Sequence, residues 1–102
     1  MNIIDVNKLK SFIENGDDLQ VVDIREDYEL QTEGTLNGLH IPMGEVMDRL
    51  DELKEDVPVI FYCRSGKRSE NILSYMKMNG LYKENYYNLD GGINAWKEKF
   101  GS

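Results

Sequence analysis

The sequence predicts an α/β fold in which helices cover both faces of a mostly parallel, five-stranded sheet. Short apolar stretches alternate with polar or amphipathic stretches along the whole chain, which is the pattern of successive strand–helix units. The stretches at residues 19–24 and 57–62 are largely apolar rather than alternating, as expected of strands buried on both faces. No linker, repeat or low-complexity tract interrupts residues 1–102, so we expect a single domain.

Each predicted strand is a short apolar stretch that a turn, a loop or a helix follows. Pro42 ends the third strand, because proline cannot continue a central strand. Pro58 lies near the start of the fourth strand, where its missing N–H group is tolerated. The strands are expected at residues 3–4, 19–24, 39–41, 57–62 and 86–89.

The stretches between the strands carry helix signals. Asp5 is a suitable N-cap for a helix with one apolar face, and Asn15-Gly16 ends that helix. Apolar side chains recur at helical spacing over residues 43–53 and predict a further helix whose apolar face packs on the core. Gly80 ends the helix that follows the fourth strand. The helical stretches are expected at residues 6–14, 25–31, 43–53, 70–79 and 93–100.

The composition is ordinary for a soluble globular protein, with 40% hydrophobic and 30% charged residues. The net charge of −7 disfavours a nucleic-acid or anionic-membrane partner. No apolar run approaches the length of a membrane span, and no secretory leader is visible at the start. The one cysteine cannot form an internal disulfide, so we expect a cytoplasmic protein.

The chemistry is expected at residues 63–69, Cys-Arg-Ser-Gly-Lys-Arg-Ser, between the fourth strand and the next helix. Ligands of open α/β sheets bind at the carboxyl ends of the strands, and a helix N-terminus attracts anions. A thiol at this position is favoured as the thiolate, which is the reactive form of cysteine. Gly66 permits a tight turn, and Arg64, Lys67 and Arg68 add positive charge, the last two as exposed loop side chains.

Cys63 also has a simpler interpretation. A cysteine after an apolar strand is usually an inert buried residue. An inert residue has no need of a glycine and three cations directly after it, so the pattern favours a reactive thiol. Gly91-Gly92 follows the fifth strand and is expected either to border the same pocket or simply to form a tight turn.

Other familiar kinds of site are not predicted. His40 is the one histidine, and its pairing with Cys63 is not favoured. No cysteine and histidine cluster has zinc spacing, and no nucleotide-binding glycine loop is present, so we expect neither a metal nor a cofactor. Because the chain has no second cysteine, a group loaded on Cys63 must leave to an outside acceptor.

Four short segments are more informative together than singly. Residues 21–26 are Val-Val-Asp-Ile-Arg-Glu, residues 38–42 end in Ile-Pro, residues 62–69 contain Cys-x-x-Gly-x-Arg-Ser, and residues 89–96 contain Gly-Gly…Trp. In this order they resemble the signatures of the rhodanese-like family of sulfurtransferases, in its small single-domain form. Residues 34–39 depart from the pattern, because they lack a histidine that the family often has and are one residue shorter. The resemblance implies a rhodanese-like three-layer α/β/α fold.

The resemblance also implies a sulfurtransferase whose catalytic nucleophile is Cys63. The thiolate would take the sulfane sulfur of a small anionic donor, such as thiosulfate or a persulfide. The resulting Cys63 persulfide would pass that sulfur to an external thiol or a sulfur-carrier system. Asp23 and Arg25 are expected to form a structural pair near the pocket. The substrate-binding residues implied by the loop are Arg64, Ser65, Gly66, Lys67, Arg68 and Ser69.

Two alternatives use the same fold. One is a noncatalytic regulatory or sulfur-carrier-binding module, although many modules of that kind lack the cysteine found here at Cys63. The less favoured one is a dual-specificity phosphatase of the cell-division-cycle type, whose loop is Cys-x5-Arg. Here Ser69 occupies the position six after the cysteine and the nearest arginine is Arg68, so the loop is one residue short for a phosphate group.

Overall fold

The computed structural model describes residues 1–101, and its centre is a five-stranded sheet. The strands lie in the order β1-β5-β4-β2-β3, and all four neighbouring pairs are parallel. The predicted α/β class with a mostly parallel five-stranded sheet is confirmed, and this sheet is parallel throughout. The strands are β1 (Asn2–Ile4), β2 (Gln20–Asp23), β3 (Leu39–His40), β4 (Val59–Tyr62) and β5 (Tyr86–Leu89).

Helices connect the strands. The first begins after Asp5, whose carboxylate accepts a hydrogen bond from the Lys8 N–H group at 2.8 Å, as predicted for an N-cap. None of the helices within the described part of the chain is both long and apolar enough to span a bilayer. The α-helices are α1 (Val6–Glu14), α2 (Asp27–Glu33), α3 (Lys67–Met78) and α4 (Gly92–Phe100), and 3₁₀ helices cover Met43–Asp48 and Leu50–Glu52.

The core lies on both faces of the sheet, because successive side chains of a strand point to opposite sides. On β4, Val59 and Phe61 join a cluster that includes side chains of α3 and the first 3₁₀ helix. Ile60 and Tyr62 join a second cluster with side chains of α1 and α4. All four residues of β4 are buried, so the strand that leads to the cysteine lies at the centre of three layers.

The prediction of one helix over residues 43–53 is wrong. The segment forms two 3₁₀ helices separated by Arg49, whose φ is −126° and ψ is 27°. Gly44 lies in the first turn, and glycine disfavours an α-helix by about 1 kcal/mol relative to alanine. The Arg49 guanidinium binds Glu45 at 3.1 Å and Glu52 at 2.6 Å, which supports the shorter 3₁₀ turns on both sides.

Two helix boundaries differ from the prediction, and both differences affect the site. The predicted polar helical turn lies two residues later, as α2, and opens with a capping box between Glu26 and Glu29. Helix α3 begins before residue 70, so residues 67–69 form its first turn rather than a loop. The loop after β4 is therefore confined to residues 63–66.

Candidate active site

The candidate site lies where β4 meets the N-terminus of α3. Cys63 directly follows β4 and is 1% exposed. Gly66 has a φ of +95°, a left-handed conformation that suits glycine and turns the chain so that α3 can begin at Lys67. The Glu70 N–H group makes the first helical bond, to the Gly66 carbonyl at 3.0 Å. The N–H groups before it have no acceptor within the helix, so this helix end favours an anion.

Two groups contact the sulfur directly. The Gly66 N–H group donates a hydrogen bond to Cys63 Sγ at 3.1 Å. The Ser69 hydroxyl oxygen lies 3.5 Å from Sγ. Asn88, in β5, lies behind both groups: its Oδ1 is 2.5 Å from Ser69 Oγ, and its Nδ2 donates to the Gly66 carbonyl at 3.2 Å. The sulfur, the hydroxyl and the amide therefore form one buried polar cluster.

Gly92 allows α4 to begin directly against the cysteine loop. Its φ is +59°, and a Cβ atom at this position would lie 2.5 Å from the Cys63 carbonyl oxygen and 2.6 Å from that of Arg64. The N–H groups of Ile93 and Asn94 donate to the same two carbonyls at 2.9 and 3.0 Å. The double-glycine turn therefore borders the cysteine loop, as the first of its two interpretations predicts.

Arg68 is held by a buried carboxylate. Its Nη1 and Nη2 donate to the two Glu29 carboxylate oxygens at 2.8 and 2.7 Å, and the Glu29 side chain is 2% exposed. These hydrogen bonds lower the pKa of Glu29 to about 2 and raise the pKa of Arg68. The prediction that Arg68 is an exposed loop charge is wrong, because its side chain is 35% exposed and carries this bidentate pair.

The other two cations near the sulfur also have carboxylate partners. Arg64 Nε donates to Glu33 at 3.0 Å, with a second bond from Nη2, and this pairing raises the pKa of Arg64. Lys67 Nζ lies 3.6 Å from Glu70, and its side chain is 80% exposed. Exposed pairs of this kind contribute little. Lys67 is also the most accessible of the three cations, since the side chains of Arg64 and Arg68 are 48% and 35% exposed.

Asp23 and Arg25 form a buried ion pair beside the site, which confirms their predicted structural pairing. Arg25 Nε and Nη2 donate to the Asp23 carboxylate at 3.0 and 2.8 Å. Nη2 also donates to the Gly34 carbonyl at 2.6 Å. The Tyr62 hydroxyl donates to Asp23 at 2.7 Å and accepts from the Leu36 N–H group at 3.1 Å. Through Gly34 and Leu36, this network holds the segment of residues 34–39 against the end of β4.

His40 is bonded to the backbone rather than to the cysteine. Its Nε2 lies 2.7 Å from the Arg25 carbonyl oxygen, and its Nδ1 lies 3.4 Å from Asp27. Because a carbonyl only accepts, Nε2 carries a proton in this contact. Among residues 1–101 no group of three or more histidine, cysteine and acidic side chains is placed to hold a metal ion.

Glu29, Glu33 and Asn88 belong to the site, and the sequence analysis missed them. The spacing of Glu26 and Glu29 is that of a capping box, which could have been recognised. Asn88 is a buried polar residue of β5, and such a residue usually has a hydrogen-bond partner. The identity of these partners depends on tertiary contacts that no local pattern indicates.

The chain is similar to known sequences over almost its whole length. The family model described as "Rhodanese-like domain" matches residues 5–99. "Putative sulfurtransferase YtwF" of Bacillus subtilis is 35% identical over 89 residues, which cover 87% of this chain and 84% of that protein. "Thiosulfate sulfurtransferase GlpE" of Vibrio cholerae is 29% identical over 93 residues, which cover 91% of this chain and 85% of that protein.

The backbone is similar to that of known structures as well. A rhodanese-related protein from Thermoplasma volcanium superimposes with a TM-score of 0.81 and 26% sequence identity, over 100% of this chain and 96% of that one. The predicted rhodanese-like fold is therefore confirmed. With the family model, the sulfurtransferase relatives and the backbone in agreement, the chain belongs to the rhodanese-like domain family.

Proposed function

We propose that this protein transfers a sulfane sulfur through a persulfide on Cys63. The observation that carries the proposal is the position of the sulfur, which accepts the Gly66 N–H bond at 3.1 Å beside the N-terminus of α3. A thiolate is stabilised by N–H donors and by a helix N-terminus, and it is the nucleophilic form of cysteine. The sulfurtransferase names of the relatives support the same reaction class.

The reaction has two displacement steps. The Cys63 thiolate attacks the sulfane sulfur of the donor, a new sulfur–sulfur bond forms, and the donor group leaves with the electron pair of the broken bond. An acceptor thiolate then attacks the outer sulfur, and the electron pair of the second broken bond returns to Cys63. The sulfur changes partner twice, and the thiolate is regenerated without an added oxidant or reductant.

Donor binding rests mainly on the backbone. The N–H groups at the start of α3 suit the outer, anionic sulfur of the persulfide. Arg64 and Arg68 are occupied by carboxylates, so their net field on a donor is reduced. Lys67 is the most accessible cation, and we propose that Ser65, which is exposed, lines the donor's path. Because the cations are balanced, a monoanionic persulfide should serve at least as well as dianionic thiosulfate.

The acceptor lies outside this chain. Cys63 is the one cysteine in the sequence, so the loaded sulfur cannot be released by an internal disulfide. A small thiol or a sulfur-carrier system in a reducing, cytoplasmic environment is the acceptor that this arrangement fits.

We further propose that residues 1–102 act as a single domain.

The phosphatase alternative is weaker than sulfur transfer. A phosphatase loop needs an arginine that closes on the phosphate oxygens. Position 69 is a serine, and Arg68 donates two hydrogen bonds to Glu29. The noncatalytic module is also weaker, because the sulfur and its N–H donor are both present at the loop.

The deciding experiment is intact-mass measurement after incubation with thiosulfate or glutathione persulfide. We expect one added sulfur, about 32 Da, which cyanide or a thiol then removes, and ping-pong kinetics. Cys63→Ser is the control and should fold but take up no sulfur. Turnover of a phosphate ester would favour the phosphatase, and a wild-type protein that gains no mass with either donor would favour the binding module.

A further inference from the structure

We propose that Asn88 is a positioning residue for sulfur transfer, because it offers the Ser69 hydroxyl an acceptor that competes with the Cys63 sulfur. This inference rests on the proposed transfer through Cys63. Asn88 is 5% exposed. Its Oδ1 contacts the Ser69 hydroxyl, which lies 3.5 Å from the Cys63 sulfur, and its Nδ2 is anchored on the Gly66 carbonyl. It therefore acts on the nucleophile through other groups.

The orientation of the Asn88 amide follows from its partners. The Gly66 carbonyl accepts from the Glu70 N–H group at 3.0 Å and from Asn88 Nδ2 at 3.2 Å, and these two bonds use both of its lone pairs. Nδ2 must face this carbonyl because only the nitrogen can donate. Oδ1 is thereby turned towards Ser69.

The Ser69 hydroxyl has one proton for several acceptors. Asn88 Oδ1 is the nearest acceptor at 2.5 Å. The Gly66 carbonyl lies at 3.2 Å and already accepts the two hydrogen bonds described above. With the proton directed to Asn88, an oxygen lone pair faces Cys63 Sγ at 3.5 Å. That arrangement suits a thiol, whose S–H group can donate to the hydroxyl oxygen.

The thiolate changes this balance. A charged sulfur attracts the Ser69 proton by a charge-assisted hydrogen bond. Turning the hydroxyl towards sulfur leaves the buried Asn88 Oδ1 without its donor, which is unfavourable. The two effects oppose each other, so the hydroxyl has two orientations: it donates either to Asn88 Oδ1 or to Cys63 Sγ.

Each orientation suits one charge state of the sulfur during the transfer. In the first displacement, the Cys63 electron pair forms the new sulfur–sulfur bond and the donor group leaves with the electron pair of the broken bond. Sγ is then uncharged, so the Ser69 hydroxyl can return to Asn88. In the second, the bond breaks and its electron pair returns to Sγ, where the hydroxyl can stabilise the leaving thiolate. Asn88 thus accepts the hydroxyl proton while the sulfur is uncharged and releases it when the sulfur becomes a thiolate.

Alkylation of the single cysteine tests this inference without sulfur transfer. Asn88→Leu removes the competing acceptor, so the hydroxyl moves to sulfur and the thiolate becomes more populated. Asn88→Asp holds the hydroxyl more strongly and adds a negative charge. At neutral pH we expect iodoacetamide to react about threefold or more faster with the first variant and slower by a similar factor with the second. Discharge of a loaded persulfide by a thiol should also be faster in Asn88→Leu.

Two comparisons distinguish positioning from a general structural role. In a Ser69→Ala background, Asn88→Leu should leave the alkylation rate unchanged, because the hydroxyl that transmits its effect is gone. Asn85 is the matched control: its Nδ2 donates to the Lys54 and Val57 carbonyls at 3.0 and 2.8 Å, near the opposite end of β4. Asn85→Leu and Asn85→Asp should alkylate at the wild-type rate.

The outcomes separate this inference from the proposed function. Changes of the same sign in Asn88→Leu and Asn88→Asp, or an Asn88→Leu effect that persists in the Ser69→Ala background, overturn the role of Asn88. A wild-type protein that never gains sulfur overturns the proposed transfer instead, whatever the alkylation rates. If circular dichroism shows that Asn88→Leu is unfolded, Asn88→Ala replaces it in both comparisons with the same expected signs.

Discussion

Replacing Gly92 by alanine should destabilise the protein far more than an ordinary glycine substitution. The φ of +59° costs a residue with a Cβ atom about 1–2 kcal/mol. The new Cβ would also lie 2.5 and 2.6 Å from the carbonyl oxygens of Cys63 and Arg64. Both are backbone atoms, so α4 or the loop must move, and such overpacking costs about 1–3 kcal/mol. Stretching the bonds from Ile93 and Asn94 adds to this, and we expect a loss of about 3 kcal/mol or more.

Gly16→Ala is the control for the backbone conformation alone. Gly16 has a φ of +71°, and a Cβ atom there meets nothing within 4 Å. The variant should therefore lose roughly 1–2 kcal/mol of unfolding free energy, which is the cost of the backbone conformation alone. Urea unfolding followed by Trp96 fluorescence gives the free energy of unfolding for both variants. A gap of about 2 kcal/mol or more between them measures the contact with the cysteine loop. Equal losses in the two variants would refute the close approach of α4 to the loop.

Three further predictions concern the charged and hydroxyl groups around the site. Arg68→Ala should cost about 1–3 kcal/mol of unfolding free energy, because it removes two hydrogen bonds from the buried Glu29 carboxylate and leaves it Arg64 at 3.7 Å. Lys67→Ala should stay within about 0.5 kcal/mol and mainly raise the KM for the donor; equal stabilities of the two variants would contradict the burial of the Arg68–Glu29 pair. The pKa of Glu29 is lowered to about 2, so the ionised carboxylate stabilises the folded state above the ordinary pKa of glutamate, and this stabilisation is lost as pH falls towards 2. The difference in unfolding free energy between wild type and Glu29→Gln should therefore narrow from pH 6 to pH 3 in urea titrations. A difference that does not depend on pH would contradict the pairing. Tyr62→Phe should cost about 1–3 kcal/mol by removing a donor to buried Asp23, and a thermal midpoint equal to that of wild type would show that the hydroxyl is not needed there.

The strands and the cysteine loop were predictable because their signals are local. The apolar run before Cys63 and the glycine and cations after it are adjacent in sequence, and the structure keeps them together. The double-glycine turn was placed at the end of β5 for the same reason. Its contact with the cysteine loop was one of two interpretations, because adjacency of strand ends depends on the strand order.

The neutralisation of the cations was not predictable from the loop alone. Glu29 is 39 positions before Arg68, and a polar helical turn is normally taken to face water. Its burial follows from the close approach of α2 to the first turn of α3. The helix predicted over residues 43–53 was wrong for a different reason. Over one or two turns, the apolar spacing fits a 3₁₀ helix and an α-helix nearly equally well, and Gly44 and Arg49 favour the 3₁₀ form.

Because α4 binds the cysteine loop, the site can form completely only late in the synthesis of the chain. The carbonyls of Cys63 and Arg64 are bound by N–H groups 30 positions later, at Ile93 and Asn94. Chains are synthesised from the N-terminus at about 5–20 residues per second, so the cysteine emerges before the groups that hold its loop. During synthesis the chain carries the complete cysteine motif without a formed site. The groups that contact the sulfur lie within residues 63–69, but the backbone of their loop gains the Ile93 and Asn94 hydrogen bonds only when α4 docks.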